Sequence, residues 1–543
     1  EKSDYQEIQP VPEQEYYDVS HGQKRIWLLY QMEEEQIAYN MPHAFSLSGP
    51  VNGQVLHSSL NILVDRHESL RTTFKLVDGE VKQYIHGSVE FDLEEYDWRG
   101  EEDRDTRVRA LIESEATRVF DLEHGPLIIG RLVQLEDDHY VFTLTLHHII
   151  SDGWSNELLI NELITIYSAV GQGDPVPLQP LRIHYKDYAL WQHEQLHGEN
   201  YEKHEQYWHD QFSGEIPVLE LPADRVRPPV QTHRGASCGT FLDSEITRGL
   251  RQMSEKTGSS MFMCLLASVK AFLYRYTGQR DMIIGTPVAG RVHPSLDAQV
   301  GFYVNTLAIR TQFEGSIGFE DLLYKVKENV LSAFEHQVYP FDKLVDSLSL
   351  NRDMSRSPLF DVMVILQNAH SGQQSRTMED VVVEELIPES ESSKFDITFN
   401  YNEIKDGEEL YLSLVYNPDL FNASRIERML EHYKAMLTVL SSESQVGLEK
   451  LTFISEEERH QLLEVFNDTT AAYPEEKTIH QLIEEQVVKS SSKAAVIFDD
   501  RNLSYEELNR RSNMLAHLLC DRYGIASDDL IGLMVPRNEE MVV

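Results

Sequence analysis

Apolar positions recur along this chain with two alternating periods. In residues 55–67, Leu56, Leu60, Leu63, Val64 and His67 share one face at helical spacing. Leu70 to Leu76 then has strand character, and Asp78-Gly79 supplies a hairpin turn. Residues 130–148 predict a second hairpin, with arms 130–135 and 140–148 around Glu136-Asp137-Asp138-His139. Helical spacing returns at Leu159, Leu163, Ile166, Tyr167 and Val170. Gly171, Gly173, Pro175, Pro177 and Pro180 break the pattern, and residues 185–212 read as a polar, aromatic helical segment. Helices and strands alternate again from 235 to about 450. No repeat of fixed period occurs, which excludes solenoids and propellers.

This alternation predicts an α/β protein. The breaks suggest a linker (1–15), two lobes joined near 180–215, a second linker at about 467–476 and a third, incomplete unit. A length of 543 residues is ample for this. The 48 basic and 90 acidic residues leave a net charge of −42, which argues against a nucleic-acid partner. Cys238, Cys264 and Cys520 are too sparse for a disulfide framework and too scattered for a zinc site, a usage that fits a reducing cytosol. The first residues hold no apolar signal-like run. The longest apolar stretch, Met261 to Leu273, is too short to span a membrane.

The sharpest chemical signal is Leu146-His147-His148-Ile149-Ile150-Ser151-Asp152-Gly153-Trp154-Ser155, between a predicted strand and a predicted helix. Period two places His148 with Phe142, Leu144 and Leu146, and sends His147 to the other face. A strand-end histidine can take a proton near neutral pH, and backbone N–H groups at the following helix start can face an oxyanion. Each residue also has a structural reading. His147 reads best as a satisfied core residue, and the bare pattern leaves His148 open. Asp152 reads more naturally as a helix cap, or as the partner of an arginine, than as a base. A metal site is disfavoured, because adjacent strand histidines do not converge on one ion. Gly285-Thr286-Pro287-Val288-Ala289-Gly290-Arg291-Val292 has the glycine spacing of a phosphate loop. It lacks that loop's Lys and Ser/Thr, and Pro287 removes an N–H, so it reads as a strand-to-loop turn.

His147-His148-x-x-x-Asp152-Gly153 resembles the signature of condensation domains of nonribosomal peptide synthetases. Other blocks of that family occur in the right order around it: Ser20 to Leu28, Arg66 to Phe74, Tyr185 to Trp191, Val300 to Thr306, His336 to Asp342 and Arg352 to Phe360. The first block is similar to that of the subtype taking an L-configured donor. His21-Gly22, Tyr303 and Val338 depart mildly from the usual pattern. Phe466-Asn467-Asp468-Thr469 and Leu503 to Asn509 resemble the junction and first block of an adenylation domain, and residues 1–15 resemble the linker leaving an upstream carrier domain. Breaks and family blocks together divide the chain into a linker (1–15), two lobes (16–185 and 186–455), a second linker (456–476) and the incomplete unit (477–543). The two spaced aspartates of heterocyclisation domains and the Glu-Gly-His-Gly-Arg block of epimerisation domains are lacking.

The resemblance implies two chloramphenicol acetyltransferase-like lobes in a V-shaped pseudo-dimer, with the active site on a tunnel between them. It implies amide formation between substrates borne on phosphopantetheine arms, with no cofactor or metal bound by the domain itself. The partners would be an upstream donor carrier, a downstream acceptor carrier and the adjoining adenylation domain. His148 would position or deprotonate the acceptor amine, and the Gly153 N–H would help hold the oxyanion. His147 would shape the loop, and Asp152 would pair with an arginine, Arg71 first and Arg66 second. Ser151, Trp154 and Asn305 would support the site. The rival implication is a carrier-docking scaffold without turnover, against which the intact His148-x-x-x-Asp152-Gly153 argues.

Overall fold

The computed structural model describes residues 7–32, 37, 39–196, 199–348, 353–367, 376–386, 392–404, 408–442 and 445–543. Residues 1–6 of the expected first linker, and Arg352 at the head of the last family block, lie outside them. Two compact units are present, Glu1–Ser455 and Glu456–Val543.

The first unit is α/β, built on two six-stranded sheets. One runs in the order Arg376–Met378, Val381–Leu386, Asn40–Ser48, His139–His147, Ile128–Glu136, Leu93–Asp97. It is antiparallel apart from the last pair, which is parallel. The helices Gly53–Arg66 and Gly153–Gln172 cover one face, and Leu56, Leu60, Leu63, Leu159, Leu163 and Ile166 pack there on Phe142, Leu144 and Leu146. The opposite face carries Val133, Leu135 and Val141, packed with Trp98 and Val108. The strand His139–His147 is therefore covered on both sides. The predicted turn at Asp78-Gly79 forms with both residues left-handed (φ 51° and 84°), joining the strands Thr72–Val77 and Glu80–Ile85.

The other sheet runs Asn305–Gln312, Asp281–Val288, Val362–Gln367, Ile397–Ile404, Glu409–Tyr416, Ala236–Leu242. The apolar run at 261–273 becomes the helix Met261–Thr277, capped by the Ser260 hydroxyl on the Met263 N–H at 3.2 Å and buried in this lobe's core. Among the described residues no single helix is long and apolar enough to cross a membrane.

The lobes are less separable than the sequence division expects. Residues 376–386, inside the segment assigned to the second lobe, form the edge of the first lobe's sheet, with Val382 opposite Ser48 and Leu386 opposite Ala44. The leading linker is also partly docked. Ile8 is buried among Ile183, Tyr185, Tyr188 and Trp191, and the Val11 N–H donates to Asp187 at 2.7 Å. Arg182 also donates to the Glu7 carboxylate and the Ile8 carbonyl, so several contacts hold this segment. The helical segment at 185–212 is two helices, Tyr185–Gln195 and Glu199–Gln211.

The second unit holds the helices Ile479–Ser490 and Tyr505–Tyr523 and a hairpin of Ala494–Phe498 with Arg501–Ser504. Its buried apolar side chains are Leu503 and Leu508.

Candidate active site

The strand His139–His147 ends on His147, and a single tight turn, His148–Ile150, begins with His148 and leads toward the helix Gly153–Gln172. His147 is buried and its Nδ1 accepts the Ile149 N–H at 3.2 Å, which caps the turn. Burial, with the neighbouring His148 and Lys394, pushes its pKa down to about 3. His147 therefore stays neutral in the folded protein where the unfolded chain protonates near 6.5. Between those values the unfolded state binds more protons, so stability is complete above pH 6.5 and falls as the pH drops toward 3. The urea midpoint of the wild type is expected to fall over this window, and that of His147→Asn to fall less. Equal slopes would refute the assignment.

His148 has left the strand, so its direction is not set by the pleat, as period two expects. Its N–H donates to the Tyr39 carbonyl at 2.8 Å, and its Nδ1 lies 2.8 Å from the Ser151 carbonyl oxygen. A carbonyl only accepts, so Nδ1 carries the proton and Nε2 keeps its lone pair. Burial, and after it the charge of Lys394, push the imidazole down to about 4, so it is neutral at pH 7. Ser151 is itself buried, and its hydroxyl donates to Asn156 at 2.6 Å.

Asp152 caps the helix that follows. Its Oδ1 accepts the Ser155 N–H at 2.8 Å, and its Oδ2 accepts the Tyr303 N–H from the second lobe at 2.9 Å. The arginine beside it is Arg291, 3.3 Å away, with both side chains only 2% exposed. This corrects the expected pairing with Arg71 or Arg66. Arg71 donates to the His86 carbonyl. Arg66 donates to both Glu162 oxygens, at 3.0 and 3.2 Å, and to the Gln179 carbonyl at 2.7 Å. Capping turns the Asp152 carboxylate toward the second lobe, so its cation comes from there. Arg291 also donates to the Ser155 hydroxyl at 2.8 Å and to the Gln299 carbonyl at 2.8 Å, and its guanidinium lies 4.2 Å from the Tyr303 ring centre. The loop after the strand Asp281–Val288 thus holds a carboxylate rather than a phosphate.

Gly153 begins the helix and is exposed, and its N–H has no partner among the described residues. Its backbone is not left-handed, and a Cβ built on it meets nothing within 4 Å. The glycine therefore leaves space rather than relieving strain. The first N–H groups of a helix carry partial positive charge and suit a developing oxyanion. Trp154 is exposed and its indole N–H donates to the Asp297 carbonyl across the seam at 3.1 Å. Asn305 serves elsewhere. Its amide donates to the Gln337 and Tyr339 carbonyls, both at 2.8 Å, and fixes the loop of the block His336 to Asp342. Among the described residues no cluster of His, Cys, Asp and Glu is arranged to hold a metal.

Two α/β lobes, with a histidine turn at their seam and a buried ion pair closing it, define a condensation-type domain. Residues 13–463 match the family model of the condensation domain, and the chain belongs to that family. Residues 483–543 match the model of the AMP-binding enzyme. The chain is 39% identical over 543 residues to tyrocidine synthase 3 of Brevibacillus parabrevis, covering all of this chain and 8% of that protein. It is 38% identical over 542 residues to gramicidin S synthase 2 of Brevibacillus brevis, covering all of this chain and 12% of that protein. The chain thus spans about a tenth of the length of these curated relatives. A solved four-domain nonribosomal peptide synthetase, bound to AMP and glycine, superposes with a TM-score of 0.80 at 23% identity, over 96% of this chain and 40% of that one.

Proposed function

We propose that this chain forms amide bonds in nonribosomal peptide synthesis. The α-amine of an aminoacyl group on a downstream carrier attacks the thioester carbonyl of a peptidyl or aminoacyl group on an upstream carrier. Both groups ride on phosphopantetheine arms. The C–N bond forms and the C–S bond breaks. The donor arm's sulfur leaves and takes up the proton that the nitrogen gives up, so that the arm departs as a thiol.

The observation that carries this reading is the bond from His148 Nδ1 to the Ser151 carbonyl, which leaves a neutral Nε2 lone pair at the seam. Such a nitrogen accepts a hydrogen bond from the amine and aims its lone pair at the carbonyl carbon. The free N–H of Gly153, at the start of the next helix, suits the oxygen as it gains charge. The adjoining adenylation domain would load the acceptor carrier, and the cytoplasm is the compartment that suits three free thiols.

The test is single-turnover transfer. Donor and acceptor aminoacyl carriers are mixed with the chain, and the acceptor's mass is followed. Growth of the acceptor by the donor residue supports the reading. Carrier binding without transfer, across a panel of residues, supports the scaffold instead. Gly153→Ala adds a focused check, because the new methyl enters open space. It is expected to leave the unfolding midpoint unchanged or slightly raised and to slow transfer by about a hundredfold, through a displaced acyl group. Unaltered transfer would remove Gly153 from the site.

A further inference from the structure

The loop that meets Asp152 also brings an aromatic ring to His148. The Gly301 N–H and carbonyl both engage the Ser155 hydroxyl, at 3.1 and 2.9 Å. The Tyr185 hydroxyl donates to the Phe302 carbonyl at 2.6 Å, and the Tyr303 N–H donates to Asp152 at 2.9 Å. The backbone around Phe302 is thus fixed to the rest of the site. Its ring meets the His148 imidazole edge-on, with centres 5.0 Å apart and planes at 83°. On another side it rests on bare backbone at Gly22, where a Cβ would stand 2.6 and 2.8 Å from two ring carbons. Gly22 lies in the first turn of the helix His21–Met32, so residues about 280 positions apart make one seat. The ring is half-buried and keeps part of its surface open.

We propose that Phe302, seated by Gly22, sets the size of the acceptor side chain admitted beside His148. The inference rests on the reaction proposed above. In an aminoacyl acceptor the β-carbon lies about 2.5 Å from the attacking nitrogen. The donor's side chain is one bond further away, beyond the carbonyl carbon. A ring packed against the imidazole is therefore placed to meet the acceptor side chain first. An apolar wall of this kind discriminates by about ten- to two-hundredfold per methylene.

The test uses acceptor carriers loaded with alanine, valine, leucine, phenylalanine or tryptophan, and one fixed donor. Transfer and equilibrium binding of the matching aminoacyl-pantetheine amides are both measured on the full chain. Phe302→Leu is expected to raise the ratio of large to small acceptors by about tenfold, chiefly through KM. Gly22→Ala is expected to drive the ring onto the site and to lower that ratio. The double variant, whose smaller side chain gives way, is expected to recover it. Ratios unchanged in Phe302→Leu at matched folding overturn the proposal. So does a shift confined to a panel of donors. Size-graded binding that responds to both substitutions, with no transfer by any form, keeps the filter and overturns the reaction alone.

Discussion

His148→Ala is expected to lower single-turnover peptide transfer by about 10²-fold while carrier binding persists. The size follows from what the imidazole can do. Its pKa of about 4 makes it too weak a base to strip an ammonium, but leaves it uncharged at neutral pH. An α-amine with a pKa near 8 is already a competent nucleophile in its neutral fraction. What is lost with the side chain is therefore aim, which a fixed acceptor supplies by holding one N–H. The expectation has a pH signature. Wild-type transfer should rise through the ionisation range of the amine and show no break near 6.5, where an unburied histidine titrates. A break there would sink the argument from burial, and equal transfer by both forms would remove His148 from the reaction.

The second large effect concerns the Asp152–Arg291 pair. Arg291→Leu leaves a carboxylate in a place that is 2% exposed, with only the Ser155 and Tyr303 N–H groups to compensate it. Breaking one side of a buried ion pair typically costs about 3–5 kcal/mol. Urea unfolding should show a loss of that order. Asp152→Asn with Arg291→Leu should recover part of it, because no bare charge is then buried. Acceptor-size selectivity should shift in the double variant, where the Tyr303 N–H loses the charged acceptor that helps place Phe302 on His148. A double variant no more stable than Arg291→Leu would show that the pair is not coupled.

The parts of the site that lie next to each other in the chain are legible in the residues alone. The two histidines, Asp152 and Gly153 fall within one strand–turn–helix, whose periods and turn residues announce themselves. The hairpin at 128–147 and the helix carrying Leu159, Leu163 and Ile166 are legible for the same reason. What joins distant segments leaves no such mark. Arg291 stands 139 positions from Asp152, in a loop whose glycines suggest only a turn, while Arg71 and Arg66 draw notice because their block is dense in motif residues. The Ser155 hydroxyl, shared by Arg291 and Gly301, looks like any residue in a helix's first turn. Val381, Val382 and Val383 have strand character, but nothing in it tells which of two sheets they join.

That last pairing bears on how such proteins can be recombined. The strand Val381–Leu386 leaves the second half of the chain to close the edge of Asn40–Ser48. A chimera joined near residue 185 would therefore take a strand of the first sheet from the wrong parent, although the junction falls in a polar, proline-rich stretch. Each half made alone would expose backbone groups ready to pair with another molecule. Exchanges that respect the architecture carry the whole span to Ser455 as one cassette.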